Sequence, residues 1–426
     1  MFPRMASHYC RRDTMRHYLS SDLNISVMYR LYCNDYCPKN NVPPVKYNVF
    51  RSVFNSYDPP LSFYKPKKDQ CVTCNAYSTA TDKTELQSQW EAHKAKEESG
   101  MKMKAADKQK AVDNKGETFR AITFDLQSIL NVPYAGDSQI FYRRKLSVYN
   151  FTIFDASNAD GYSYLWDETH GRKGSVEIGS CLLKYLQSLP NTVTHVSSFS
   201  DTCGGQNRNK YVTAAMIYAV AKIDNLQVID LKYLEPGHTY LEVDSMHATI
   251  ERARKNKKVY SPREWGVLIQ MARQKPRPYI VNHLTYSDFY NFKELASKIM
   301  QNTIRDTNGN QVKWLQIKWL RFTKTDPSTI SFKYDVAGDD FLKLNTCEVG
   351  TSKRRRTRKP CENVNDVHLE QQYSSILPIS NAKKHDLLCL LRQKVIPEDY
   401  RNFVETLPTA VGATDIVPSD SEYETD

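Results

Sequence analysis

The sequence predicts an α/β fold, a mixed β-sheet flanked by helices, from three observations. From Phe119 onward the chain carries β-type runs rich in aromatic and β-branched residues: RAITFDLQSIL, YRRKLSVYNFTIFDA and DGYSYLWDET. These three strands precede any long helix, which predicts an antiparallel meander. Strands and helices then alternate, which predicts parallel additions through helical crossovers.

Taken in order, YLSSDLNISVMYRLYC has apolar residues at three- and four-residue spacing, a helix with Ser20, Ser21 or Asp22 as its cap. NNVPPVKYNVF and YDPPLSFYKP are proline-punctuated connections. Residues 84–118 are mostly strong helix formers with few large apolar side chains. They predict a solvated helix, or a pair broken near Gly100, bridging two domains. After the meander, SVEIGSCLLKYLQSL is an amphipathic helix, THVSSFSD a strand, NRNKYVTAAMIYAVAKI a buried helix and LQVIDLKYLEP another strand. DSMHATIERARKNKK opens a basic helix with Asp244 or Ser245 as N-cap. SPREWGVLIQMAR starts with Ser261 as cap, Pro262 in the first turn and Glu264 three residues after the cap. SDFYNFKELASKIM is a further helix, and VKWLQIKWLRFTK and STISFKYDV are strand-like. The organisation expected is a helical N-terminal region (1–117), an α/β core (118–350), a basic linker (351–367), a small helical unit (368–408) split at Ile396-Pro397, and an acidic, disordered tail (409–426).

Of the 426 residues 40% are hydrophobic, enough for two or three domains and a large core. The net charge of +11 and pI of about 9.0 favour polyanionic partners, nucleic acid first. No apolar run reaches the roughly 18 residues a membrane span needs, so no membrane partner is expected. MFPRMASHYCRRD lacks the apolar core of a signal peptide. Ten cysteines in such a chain predict reduced thiols in the cytosol or nucleus, with metal binding favoured over disulfides.

Two strand-like runs end in an acid at comparable positions, ITF-Asp125 and SSF-Ser200-Asp201. A lone aspartate there is usually a turn former or helix cap. If the first and fourth strands lie side by side, however, two carboxylates meet, and like charges so close call for a cation. Mg²⁺ or Mn²⁺ suits oxygen ligands of this kind. A third acid is sought among Glu242, Asp244 and Glu251. Asp244, His247 and Glu251 fall on one stripe of an ideal helix, where the bland alternative is a solvated face.

This arrangement resembles the ribonuclease-H-like core of DDE cut-and-paste transposases. Asp244-Ser-Met-His247 resembles the acid-x-x-His signature that several eukaryotic superfamilies carry beyond the second acid. SDTCGGQNRN, WDET, the PGH of LEPGHTYLEVDSMHATIE and the late KKHDLL…IPEDY segment look more closely like a group of transposon-derived proteins found in animal genomes. The resemblance implies metal-dependent DNA cleavage and strand transfer in the nucleus, with a possible homo-oligomer. Asp125, Asp201 and Glu251 would hold the metal, and His247 and Asp244 would be auxiliary. Glu264 is a rival third acid, although its place in SPRE makes it a capping residue first. A relic that has lost catalysis and keeps DNA or chromatin contacts is the alternative.

Cys71-Val-Thr-Cys74 has the spacing of half a zinc site, a zinc knuckle whose partners are His93, or Cys33 and Cys37, or His8 and Cys10. Arg252, Arg254, Lys255, Lys257 and Lys258, directly after Glu251, and Arg208 in the QNRN turn are candidate DNA-backbone contacts. Lys353 to Lys359 reads as a nuclear-import or phosphate-binding strip, with a solvated linker as the alternative. Gly204-Gly205 lacks the end of a P-loop, and nothing pairs Cys203 with a base as a nucleophile.

Overall fold

A computed structural model of the chain describes residues 17–20, 23–63, 71–338, 340–348 and 360–415. The basic run Lys353–Lys359, His8, Cys10 and the end of the acidic tail lie outside these residues. The chain forms two compact units, 1–75 and 76–426.

In the first unit β1 (His17–Leu19) pairs in parallel with β2 (Leu61–Phe63). Helices α1 (Ile25–Leu31), α2 (Cys37–Lys39) and α3 (Tyr47–Asn55) lie between these strands in sequence, with α1 continuing into a π-helical turn, Tyr32–Tyr36. Leu19, Met28 and Phe54 form its small core. The cap of α1 is Asn24, whose side chain accepts from the Val27 N–H, rather than Ser20, Ser21 or Asp22. The helix starts later than expected because Asn24 satisfies an orphan N–H directly. The division at residue 75 falls within α4 (Val72–Thr79).

The second unit opens with α5 (Thr84–Asp113), which is continuous through Gly100. A Cβ on Gly100 would lie 3.4 Å from Leu234 Cδ2, so the glycine serves close packing and not a break. The helix is not a solvated bridge either, and no division falls near residue 117. Lys104 and Lys108 pair with Glu242, while Asp107 accepts from Lys232 and Ser197 of the sheet. Composition alone reads such a helix as solvated, because a charged seam looks the same in sequence whether its partner is water or protein.

The sheet runs through β3 (Phe119–Leu126), β4 (Leu130–Val132), β5 (Leu146–Asp155), β6 (Asp160–Asp167), β7 (His195–Ser200), β8 (Val228–Tyr233), β9 (Ile280–His283), β10 (Trp319–Thr323), β11 (Thr329–Lys333) and β12 (Leu342–Asn345). Its order is β12-β11-β10-β8-β7-β3-β5-β6-β9, with β4 attached to β5. β3, β5 and β6 are antiparallel, whereas β7 adds parallel to β3 and β8 parallel to β7. The expected meander and parallel additions are therefore present, in a mixed sheet flanked by helices. The sheet also extends beyond β8 through β10, β11 and β12, all antiparallel.

Alternating strand residues feed two cores. Ile122, Phe124, Tyr149, Phe151 and Ile153 pack with α7 (Ser175–Gln187), α8 (Lys210–Lys222) and α11 (Phe292–Ile299). Val148, Leu165 and Phe199 pack with α9 (Glu242–Ala253), α10 (Pro262–Ala272) and α12 (Asn381–Arg392). The period-two alternation of side chains makes this division inevitable once both faces are covered. A short α6 (Ser138–Phe141) precedes β5, and α13 (Arg401–Thr406) completes the C-terminal pair, which breaks at the buried Ile396 as expected. That pair is anchored by Lys383, which donates to Glu168 beside the meander at 2.6 and 2.8 Å, both side chains 4% exposed.

One expectation about the cysteines fails: Cys347 and Cys361 form a disulfide. The turn after β12 and the segment beginning at Pro360 bring their Cα atoms to 5.4 Å, a proximity that sequence spacing does not show.

Candidate metal centre

Asp125 lies near the end of β3 and Asp201 directly follows β7. The two strands are parallel neighbours, with Thr123 opposite Phe199. Continued two residues, that register sets Asp125 level with Asp201. Burial pushes the Asp125 carboxyl well above its ordinary range, and the neighbouring charges of Asp201 and then Asp244 push it further.

Asp244 does not cap α9. The helix begins at Glu242, and Asp244 sits in its first turn with Oδ2 accepting the Leu241 N–H at 3.1 Å. From there one oxygen of Asp125, one of Asp244 and a ring nitrogen of His247 all lie within 4.8 Å of one another. His247 is neutral: burial lowers its pKa to about 4. Thr152 of β5 donates its hydroxyl to the Asp125 carbonyl at 3.1 Å. Its oxygen therefore receives the His247 Nε2–H at 2.7 Å, which leaves Nδ1 as the lone-pair nitrogen.

Asp201 is held by its own turn. Its Oδ1 accepts from the Cys203 N–H at 3.0 Å and from Asn207 Nδ2 at 2.5 Å, so Oδ2 is the oxygen these bonds leave to a cation. Asn209 is the cap of α8, accepting from the Tyr211 and Val212 N–H groups. Gly204 and Gly205 adopt no left-handed conformation, and a Cβ on Gly204 would meet nothing closer than 3.9 Å. Burial and then Asp201 raise the Cys203 thiol, the opposite of an activated nucleophile.

Three sequence-level assignments change here. Glu251, one turn beyond His247, is ion-paired to Arg254 and falls outside the Asp125–Asp244–His247 group. Glu264 accepts from the Tyr260 and Ser261 N–H groups and from the Tyr400 hydroxyl at 2.5 Å, a capping and packing role. Arg208 is 9% exposed, donates to the Ile317 carbonyl at 3.2 Å and lies over the Tyr233 ring, so it faces the interior and not a DNA backbone. Arg252, Lys255, Lys257 and Lys258 are exposed, while Arg254 is half-buried over the Tyr134 ring.

Sequence reasoning missed Thr152 and Lys173. Thr152 reaches the site only through its register opposite Asp125, and Lys173 contributes a positive charge that favours ionised Asp125. No motif marks either residue.

Two predictions arise here. Asn207→Ala removes a bond that orients Asp201 and should lower metal affinity or metal-dependent activity by roughly 10–100-fold, read by titrating activity against Mn²⁺. His247 has a second consequence. Its folded pKa is below the unfolded value of about 6.5, so between these two values the unfolded chain binds more protons. Stability from this group is complete above about pH 6.5 and falls as pH drops towards 4, by up to about 3 kcal/mol. Urea melts of the wild type and of His247→Gln at pH 7.5 and about pH 5 should show a smaller pH difference for the variant.

Residues 153–325 match a family model described as a domain of unknown function, DUF7869. The matched stretch contains Asp201, Asp244 and His247 and begins after Asp125. No curated protein and no solved structure matches the chain.

Proposed function

We propose that the second unit is a ribonuclease-H-like domain that cleaves and transfers DNA strands with Mg²⁺ or Mn²⁺, as in DDE transposases, with Asp125, Asp201 and Asp244 as the acids. The observation that carries this reading is the register that sets Asp125 level with Asp201, joined by Asp244 and His247 from one helix. The five central strands, in the order β6-β5-β3-β7-β8, support it: an antiparallel meander is extended by two parallel strands, with an acid at the ends of its first and fourth.

The donor set fits the metal. Three carboxylates supply hard oxygens, and one neutral imidazole is compatible with Mn²⁺. The raised Asp125 carboxyl marks a place short of positive charge, so cation binding there displaces a proton. When bound, such ions activate the attacking hydroxyl and stabilise the leaving oxygen. The chain's own residues do the rest. Asn207 and the Cys203 N–H hold one Asp201 oxygen, so the other keeps a fixed direction. Thr152 fixes the His247 ring, and Leu241 fixes Asp244 on the first turn of α9. Arg252, Lys255, Lys257 and Lys258, following the same helix, supply exposed positive charge for a phosphate backbone.

The test is a nicking and strand-transfer assay on supercoiled and linear DNA with Mg²⁺ or Mn²⁺. Activity lost in Asp125→Asn, Asp201→Asn and Asp244→Asn, and kept in Glu251→Gln, supports this set of acids. Loss in Glu251→Gln with retention in Asp244→Asn overturns it. DNA binding that is salt-sensitive and insensitive to all four changes, with no cleavage by the wild type, identifies the non-catalytic relic.

A further inference from the structure

A second metal centre is indicated away from the acids, at the loop that leads into the catalytic helix. His238 belongs to the PGH turn between β8 and α9 and is 4% exposed. Its N–H donates to the Glu235 carbonyl at 3.0 Å, and Gly237 takes a φ of +76° that only glycine adopts freely. The turn aims the ring at α5. There His238 Nδ1 lies 3.2 Å from Glu97 Oε1, and His238 Nε2 lies 3.0 Å from His93 Nε2. Glu97 is itself 9% exposed and is paired with Lys94.

This is the arrangement of a metal-bound histidine. A ligating imidazole donates its other N–H to a carboxylate, which fixes the tautomer and raises the basicity of the ligating nitrogen. With Nδ1–H on Glu97, His238 presents the Nε2 lone pair, and it presents it to a second Nε2, that of His93. Two imidazole nitrogens about 3 Å apart are spaced as two corners of a tetrahedron around zinc, given Zn–N bonds of about 2.0–2.1 Å.

Helical periodicity brings the thiols to the same place. Tyr77 of α4 stacks on Trp90 of α5 with ring centroids 4.3 Å apart, and its hydroxyl bonds Gln87. The two helices are joined through residues 80–83, so they run as a hairpin. Cys74 lies one turn before Tyr77 on its own face, and His93 lies one turn after Trp90 on its own face. Moving back along the first helix and forward along the second is the same direction along an antiparallel pair, about 5.4 Å per turn. Cys71 lies a further turn back, at the start of α4, where its carbonyl accepts the Asn75 N–H.

We propose that His93 and His238 ligate a structural zinc ion whose remaining two ligands are the thiolates of Cys71-x-x-Cys74. The Cys-x₂-Cys pair supplies one half of a Cys₂His₂ set and the two imidazoles supply the other, with Glu97 as the outer partner of His238. The centre ties the long helix to the turn that precedes Asp244 and His247, and so positions the catalytic helix without taking part in the chemistry.

The experiment uses the full chain, expressed with zinc and purified without a strong chelator. Elemental analysis should find about one zinc per chain. It should be lost in His238→Gln and in the Cys71→Ser, Cys74→Ser double variant, and kept in Asp125→Asn and Asp244→Asn. Cobalt exchanged into the unaltered chain should give tetrahedral d–d bands with a thiolate-to-cobalt charge-transfer band. Because the spectrum needs no variant, it decides the matter even if His238→Gln fails to fold. A chain that purifies without zinc and takes up no cobalt shows only a hydrogen bond between the two rings and overturns the proposal. Zinc that survives the cysteine changes overturns it equally.

Discussion

Asp201→Asn is expected to abolish metal-dependent DNA nicking while leaving salt-sensitive DNA binding in place. The carboxylate sits level with Asp125 across the β3–β7 register, and its Oδ1 is already committed to Asn207 and the Cys203 N–H. An amide is isosteric, so folding and the exposed basic residues after α9 should be unaffected. It carries no charge, so a divalent ion loses one of its anionic ligands. The loss should exceed the roughly 10–100-fold expected when an outer partner such as Asn207 is removed. Rates at saturating Mn²⁺, compared with a binding isotherm at two salt concentrations, separate the two effects. Nicking by Asp201→Asn at the wild-type rate would remove Asp201 from the site.

Asp230→Ala is expected to produce the largest loss of stability in the second unit. Asp230 lies on β8 in the middle of the sheet and is fully buried. Its Oδ1 accepts from Trp319 Nε1 and Arg321 Nε, both at 2.8 Å, while Oδ2 accepts from Arg321 Nη2 at 3.0 Å and pairs with His195 Nε2 at 2.8 Å. Burial pushes this carboxyl upward, but the bonds from His195 and Arg321 overcome it and hold the group well below the usual carboxylate range. Removing it strands a guanidinium and an indole N–H together. Breaking a buried ion pair costs roughly 3–5 kcal/mol, and because the Arg321 side chain is 30% exposed the lower end applies, about 3 kcal/mol. A fall in the urea midpoint at unchanged slope measures it. The sign with pH is fixed by the depressed folded value: the contribution is complete above the unfolded pKa of about 3.9 and is lost as pH falls below it.

Much of the core was legible because a sheet writes its period into the sequence. The three strands of the meander, the two amphipathic crossover helices and the acids at the two strand ends were all readable from Phe119 to Tyr233. The capping box of α10 was readable too, since Ser261 and Glu264 act within four residues of each other. What failed were readings that needed a partner from elsewhere. The 84–118 segment looked solvated because its charges meet their partners, Glu242 and Lys232, only after the chain has crossed the sheet. Arg208 looked like a phosphate contact because its acceptor, the Ile317 carbonyl, lies more than a hundred residues away. Glu251 fitted the stripe with His247 on an ideal helix, but the starting point of α9 and its angle to β5 direct Asp244 to Asp125 and leave Glu251 to Arg254.

By itself the sequence determined the α/β class, the order of the core elements and two of the acids, because strand and helix periods and strand-end residues are local properties of the chain. Tertiary structure decided which acid stands third, which basic residues stay outside, and that Thr152 and His238 belong beside functional groups at all. Those choices depend on strand register and on the approach of one helix to a sheet, which arise from packing between segments far apart in sequence and leave no local pattern to read.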